Sequence, residues 1–356
     1  MKKQILIFII IIILVALGFF LFIKNDKGEI EEISEPEEIT YTNEIYGFTV
    51  TIPEEWENYY EANQGEGGTV FNYLAEDGTT ALLAIVTSYP ASINIFELET
   101  TPNTRIFAQT AEKYYTTSQP LDMPFEPGST DFDKYTQMLD KVDEFLESIQ
   151  PDKETYTLTK RITDVKDGKQ YIDVSYPEFK GNKSFIDINN VIKQDIDKFV
   201  SEFKKNLETW DTENIPEGAY SRFWMDYNLR RLDNIASIYF VISDSMAGAA
   251  HPNSYTYSLN FDLETNRKIE ITDIVSDFEK LSELVKEKLK AEFEKKNIET
   301  DSLFETGTEP KAENYNNFNL VEQGIIFNFD PYEIAAYAAG NFEAILGIDE
   351  LQEILK

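Results

Sequence analysis

Residues 239–275 read YFVISDSMAGAAHPNSYTYSLNFDLETNRKIEITDIV. Two apolar, β-branched runs flank a small-residue turn, Ala247-Gly248-Ala249-Ala250-His251-Pro252-Asn253. After it, Tyr255, Tyr257, Leu259 and Phe261 alternate with Thr256, Ser258, Asn260 and Asp262. A period of two is the pattern of a half-buried strand. Residues 264–267 make a second tight connection, because Asn266 tolerates positive φ. A short strand over 268–271 is expected next, with Thr272-Asp273 capping the helical element after it. The turn carries the one histidine of the chain.

Outward from this stretch, the same rules place strands at 220–229 and 235–242 and a hairpin of 156–162 with 171–176 around Lys166-Asp167-Gly168-Lys169. Residues 184–207 carry a helical apolar stripe from Phe185 through Ile192 and Val200 to Leu207, with Ser184 and Asp187 placed as a capping box. A second amphipathic helix is expected over 278–295, a strand over 324–329, a turn at Asp330-Pro331-Tyr332-Glu333, and a terminal helix over 348–355. Toward the N-terminus, strands are expected over 46–53, 70–74 and 81–86, one more within 105–116, and a single helix over 131–149. Trp56 comes just after the first of these strands as a large apolar anchor.

The net charge is −33, with a pI near 4.3. Such a surface repels phosphate and argues against nucleic-acid binding, while it draws basic partners. Cysteine is absent, which removes disulfides, thiolate metal sites, Cys nucleophiles and a lipoprotein anchor. Residues 5–23 are an apolar run about as long as a bilayer is thick, preceded by Lys2 and Lys3. The expectation is an uncleaved signal anchor with its N-terminus cytoplasmic and the rest extracytoplasmic. The fold class expected is α+β: two exported mixed α/β domains behind a single N-terminal transmembrane helix. The boundaries are 1–24 for stub and anchor, 25–40 for an acidic linker, 41–150 for the first domain and 152–356 for the second, with subparts 152–270 and 271–356.

The phrase YGFTVTIPEEW, residues 46–56, resembles the opening of PsbP-like and Mog1-like α/β sandwich domains, often non-catalytic modules of exported proteins. The string GAAHPNSYTYSLNFDLETNRKIEITDIV, together with FNFDPYEIAAYAAG further on, resembles an RsiV-like exported domain of unknown function, also found ahead of the catalytic part of a peptidoglycan deacetylase. In RsiV-like anti-sigma factors that domain senses lysozyme. The resemblance implies a sensor or binding module. It does not carry over sigma-factor control, because four residues precede the apolar run here, nor deacetylase chemistry, which uses more than one histidine.

His251 contacts a ligand, serves a Ser/His/Asp set with Ser245 or Ser254, or closes a structural turn. There is no G-x-S-x-G elbow, no Walker loop, no G-x-G-x-x-G and no calcium loop. Paired carboxylates for glycan hydrolysis have no specificity among 65 acids. The candidate ligand-binding residues are His251, Asn253, Tyr255, Asp330, Tyr332, Glu333 and Tyr337; no catalytic residue, metal ligand or cofactor is expected. The expected partners are the membrane, through the N-terminal helix, and a cationic protein such as lysozyme or a cell-wall component. An envelope scaffold and a carboxylate-dependent hydrolase of wall glycan stand as alternatives.

Overall fold

The computed structural model describes residues 38–65, 68–93, 104–167, 169–210, 215–216, 218–352 and 354–356. The apolar segment 5–23 and all but the last residues of the 25–40 linker lie outside these. Among the described residues no helix is long and apolar enough to cross a membrane.

The chain is mixed α+β and rich in strands. Strands β1 (Thr40–Asn43) and β2 (Phe48–Thr51) pair antiparallel. A 3-10 turn, Glu54–Trp56, leads into β3 (Tyr60–Gly65), β4 (Gly68–Leu74), β5 (Thr80–Pro90), β6 (Thr104–Gln109) and β7 (Lys113–Ser118). The one strand expected within 105–116 is thus a hairpin, β6 with β7, tightened where Thr110 Oγ1 accepts from the amides of Glu112 and Lys113.

The single helix expected over 131–149 is two, α1 (Thr130–Leu139) and α2 (Val142–Glu147). The break at Asp140-Lys141 exposes the carbonyls that end α1. Trp56 Nε1 donates to one of them, Met138 O, at 3.0 Å. The indole, fully buried, stacks on Phe145 of α2 at 4.7 Å. Trp56 is therefore a core anchor that also closes a helix end.

Residues 150–152, at the expected boundary between the two domains, are bonded back to the start of the first. β8 (Gln150–Pro151) pairs with β2, and Asp152 N donates to Gly47 O at 3.0 Å.

β9 (Thr155–Lys166) and β10 (Gln170–Gly181) form a twelve-residue hairpin, with Asp167 in the left-handed region at φ 53°. Helix α3 (Ile186–Thr209) crosses to β11 (Ser221–Leu232), which runs parallel to β10. Its expected capping box does not form. Phe185 is the N-cap, and Asn189 instead bridges the Phe179 amide and carbonyl at 2.8 and 2.9 Å. β12 (Ile235–Ser245), β13 (Asn253–Asp262) and β14 (Arg267–Lys268) come next as an antiparallel meander. The strand expected over 268–271 shrinks to β14, because Ile271 already opens α4 (Ile271–Ile274) under a Glu270/Asp273 capping box.

Together these make an eleven-stranded sheet in the order β14-β13-β12-β11-β10-β9-β6-β7-β5-β4-β3. A separate three-stranded sheet holds β15 (Phe318–Val321), β16 (Gly324–Phe329) and β17 (Phe342–Gly347). Helix α5 (Phe278–Lys295) packs on it through Leu281, Val285, Leu289 and Phe293, all buried. The terminal helix α6 (Ile348–Leu351) is half as long as expected. Three apolar cores result, drawn from residues 48–158, 172–263 and 271–354.

Candidate functional site

The site grows from the two faces of β13. Tyr255, Tyr257, Leu259 and Phe261 turn toward α3, where Phe199 meets Tyr257 edge-on at 5.3 Å. Thr256, Ser258 and Asn260 lie on the other face and are equally buried. A half-buried strand should wet this polar face; here the C-terminal sheet covers it.

Burying such groups is costly unless each finds a partner. Asn260 Nδ2 donates to Phe318 O at 2.8 Å, and Asn319 Nδ2 donates to Ser237 Oγ at 3.0 Å. Asn328 Nδ2 donates to Asn319 Oδ1 at 2.9 Å, and Ser258 Oγ donates to Asn317 Oδ1 at 2.7 Å. Asn317 Nδ2 in turn donates to Thr256 Oγ1 at 2.8 Å. This amide and hydroxyl network joins the two sheets.

Asp330 ends the network at its outer edge. One of its carboxylate oxygens accepts from Thr256 N at 2.9 Å, from Thr256 Oγ1 at 2.8 Å and from Asn341 Nδ2 at 3.3 Å. Its own amide donates to Glu333 Oε2 at 2.7 Å. Burial pushes the Asp330 carboxyl above the usual carboxylate range, and the Thr256 bonds pull against that rise. The Glu333 carboxyl is raised as well, chiefly by burial, and the bond from the Asp330 amide pulls against that rise, although the residue as a whole is exposed. Thr256 and Asn341 also line a cleft of about 270 Å³ with Tyr239, Lys296 and Glu343. Burial lifts the Tyr239 phenol to about 12.

Beyond Asp330 the turn raises an aromatic ladder. Tyr332 adopts φ 74°, a conformation uncommon for a residue with a bulky side chain, and its amide donates to Ala335 O at 3.0 Å. Its ring is 66% exposed. Tyr337 lies 5.6 Å from Tyr332 at 31°, and His251 stacks on Tyr337 at 4.2 Å and 25°. Tyr337 Oη donates to Pro252 O at 3.0 Å, which ties the turn to the β12–β13 loop. His251 Nδ1 lies 3.0 Å from the same carbonyl. A carbonyl only accepts, so Nδ1 carries the proton and Nε2 is the acceptor of the neutral ring.

Three of the seven sequence candidates, His251, Tyr332 and Tyr337, therefore meet in one aromatic cluster, exposed at His251 and Tyr332 and half-buried at Tyr337, with Asp330 and Glu333 as its base. Asn253 bonds Asp244 Oδ1 at 2.8 Å on the hairpin stem, and Tyr255 packs against Phe199 at 6.1 Å, away from the ladder. Among the described residues no hydrogen bond joins His251 to Ser245 or Ser254, the partners considered for a nucleophilic set. Nor does any group of three or more His, Asp and Glu side chains converge there as a metal site would require. Sequence reading missed Thr256, Asn317, Asn319, Asn328 and Asn341. One signal was present: Asn319 follows Phe318 and Asn328 sits between Phe327 and Phe329, so each is a lone amide within an apolar strand.

Comparison with known proteins places residues 272–349, which include the Asp330 turn and both tyrosines, in a match to a family model described as a protein of unknown function, DUF3298. Over 198 residues, 54% of this chain, the sequence is 28% identical to the peptidoglycan-N-acetylmuramic acid deacetylase PdaC of Bacillus subtilis (strain 168). The match covers 40% of that protein, so the chain spans less than half the length of this relative. Among solved structures, a DUF3298 family protein of Pseudomonas aeruginosa PAO1 is similar at 13% identity and a TM-score of 0.44, over 57% of this chain and 94% of that one. A DUF3298 family member of Bacteroides fragilis NCTC 9343 is similar at 18% identity and a TM-score of 0.41, over 57% and 93%.

Proposed function

We propose that the chain is a non-catalytic binding protein of the cell envelope, held to the membrane by residues 5–23 with its folded part extracytoplasmic, and that the His251–Tyr337–Tyr332 ladder engages a cell-wall glycan. The observation that carries this reading is the ladder itself. Three neighbouring rings, His251 and Tyr332 exposed with the half-buried Tyr337 between them, adjoin a turn whose backbone is strained at Tyr332, over a base whose hydrogen bonds are already satisfied. Strain held at an exposed aromatic is a mark of a working surface. Flat aromatic faces suit sugar rings, and Glu333 and the His251 Nε2 acceptor suit their hydroxyl groups. The similarity of 198 residues to part of a protein named for acting on peptidoglycan supports the compartment and the ligand class.

A cationic protein such as lysozyme is the second reading, supported by the net charge of −33, which speeds the encounter with basic partners. The two readings separate in one experiment. Residues 40–356, which contain all three cores, are sedimented with insoluble peptidoglycan and, in parallel, passed over immobilised lysozyme at rising salt. For the glycan reading, Tyr332→Ala and Tyr337→Ala each weaken sedimentation about tenfold with unchanged circular dichroism, and salt has little effect. Binding to lysozyme that salt abolishes and the tyrosine variants do not alter would reduce the contact to a general acidic-surface effect. Absence of sedimentation at any salt removes the glycan reading.

A further inference from the structure

We propose that a cleft at the middle of the large sheet is a second ligand site, independent of the aromatic ladder, and that it takes a small zwitterion: an amino acid or a short peptide with both ends free.

The cleft arises from how the sheet is joined. β6 meets β9 at two residue pairs, Ala108 with Leu158 and Gln109 with Thr157. Past these pairs the ladder stops. The opening, of about 480 Å³, is walled by α2 on one side and β11 on the other. That volume is within the usual range for small-molecule pockets. Phe107, Leu146, Leu158 and Leu229 give it an apolar wall.

Side chains of both charges line the cleft, Arg105 and Arg161 with Asp143, Glu147 and Asp226. Arg105 pairs with Asp143 through Nη2, yet its Nε is buried and makes no hydrogen bond among the described residues. Arg161 Nη2 pairs with Asp173 Oδ1 at 3.1 Å, but the other oxygen of that carboxylate also faces Arg222 at 4.0 Å. One carboxylate thus serves two guanidinium groups, and Arg161 keeps N–H donors beyond the one it gives to Asp173. Arginine in such a place is suited to a carboxylate, which it can bind through two parallel N–H donors.

Asp226 supplies the opposite pole. Its carboxylate accepts a hydrogen bond from the Tyr227 amide at 2.9 Å, and burial raises its pKa while the nearby Arg161 charge works against the rise. Asp226 is half-buried, and a nearby cation favours its charged form. A ligand ammonium would supply that cation, with the Tyr227 hydroxyl, 2.8 Å from Thr159 Oγ1, beside it. The apolar wall then takes a side chain or a methyl-rich stem. A purely anionic ligand would meet Asp226, and a purely cationic one would meet Arg105 and Arg161.

The test is isothermal titration of the full chain with the dipeptide alanyl-leucine, its N-acetylated form and its C-amidated form. The free dipeptide is expected to bind, and each capped form to bind about tenfold more weakly. Asp226→Asn, which keeps the shape of the side chain, should weaken the free dipeptide about tenfold and leave the N-acetylated form unchanged. Arg161→Gln should do the same for the carboxylate end, with the amidated form unaffected. Tyr332→Ala should change none of these values. Equal affinity for all three peptides, or no heat from any of them, overturns the proposal. Should Asp226→Asn fail to fold, the three peptides on the unaltered chain decide the matter alone.

Discussion

The two faces of strands β12 and β13 are both buried and are held by different forces. Toward α3, Ala236, Ile238, Phe240 and Ile242 join Leu259 and Phe261 in a core fully closed to water. Toward β15 and β16, Ser237, Thr256, Ser258 and Asn260 are almost as inaccessible, yet contribute hydroxyls and amides. The first face is non-directional: area removed from water stabilises it, and neighbours adjust to fill space. The second is directional. Its bonds add modest net stability but are expensive to leave unmade, so it admits one alignment of the two sheets.

The comparison breaks hardest on the apolar side. Phe240→Ala should cost about 3–5 kcal/mol by urea unfolding, since the ring is fully buried and stacked near Tyr257 at 6.2 Å. On the polar side the expected loss is smaller. Asn319→Ala removes donors to Ser237 Oγ and Ile238 O and the acceptor used by Asn328. The stranded groups should cost about 1–3 kcal/mol. A loss as large as that at Phe240 would show that the network, rather than the apolar core, dominates the layer.

The gentlest probe is pH. Asp330 and Glu333 both have carboxyl pKa values raised by burial. A raised value means that the folded state holds its proton longer than the unfolded chain does. Their contribution is therefore complete below the ordinary carboxylate value and is lost as pH rises through the raised one. Stability should fall over that window above about pH 4, and Asp330→Asn, which keeps an acceptor for Thr256, should flatten the fall. An unchanged slope would assign it to other buried carboxyls such as Asp226 and Asp244.

Much of the fold is legible in the residues alone where order is local. The Lys166–Lys169 hairpin, the stripe of α3 and the whole of α5 come from turn chemistry and periods of two and 3.6. Legibility fails where the decisive partner is distant. Period-two alternation equates polar with wet, and nothing near Thr256 announces Asn317, 61 residues on. Short strands such as β1 and β3 exist because neighbours pair with them, not through any pattern of their own. At the site, His251, Tyr332 and Tyr337 stand out one by one through residue type. Their stacking depends on a contact between segments 85 residues apart, from Tyr337 to Pro252.

The ends of the C-terminal layer meet one another. Val275 bridges Leu355, Ser276 N donates to Ile354 O at 2.8 Å, and Lys356 N donates to Ile274 O at 2.9 Å. This has a kinetic consequence. A segment whose ends are bonded to each other can complete its own three strands and helix without waiting for the large sheet. The bonds to β12 and β13 reward nothing until both surfaces are already shaped, and the expectation is that they form on the native side of the folding barrier. Interactions made that late leave the speed of folding nearly untouched and act on the rate of escape from the folded state. Loss of the buried amides between the sheets, as in Asn319→Ala, is then expected to speed unfolding and leave the folding rate nearly unchanged.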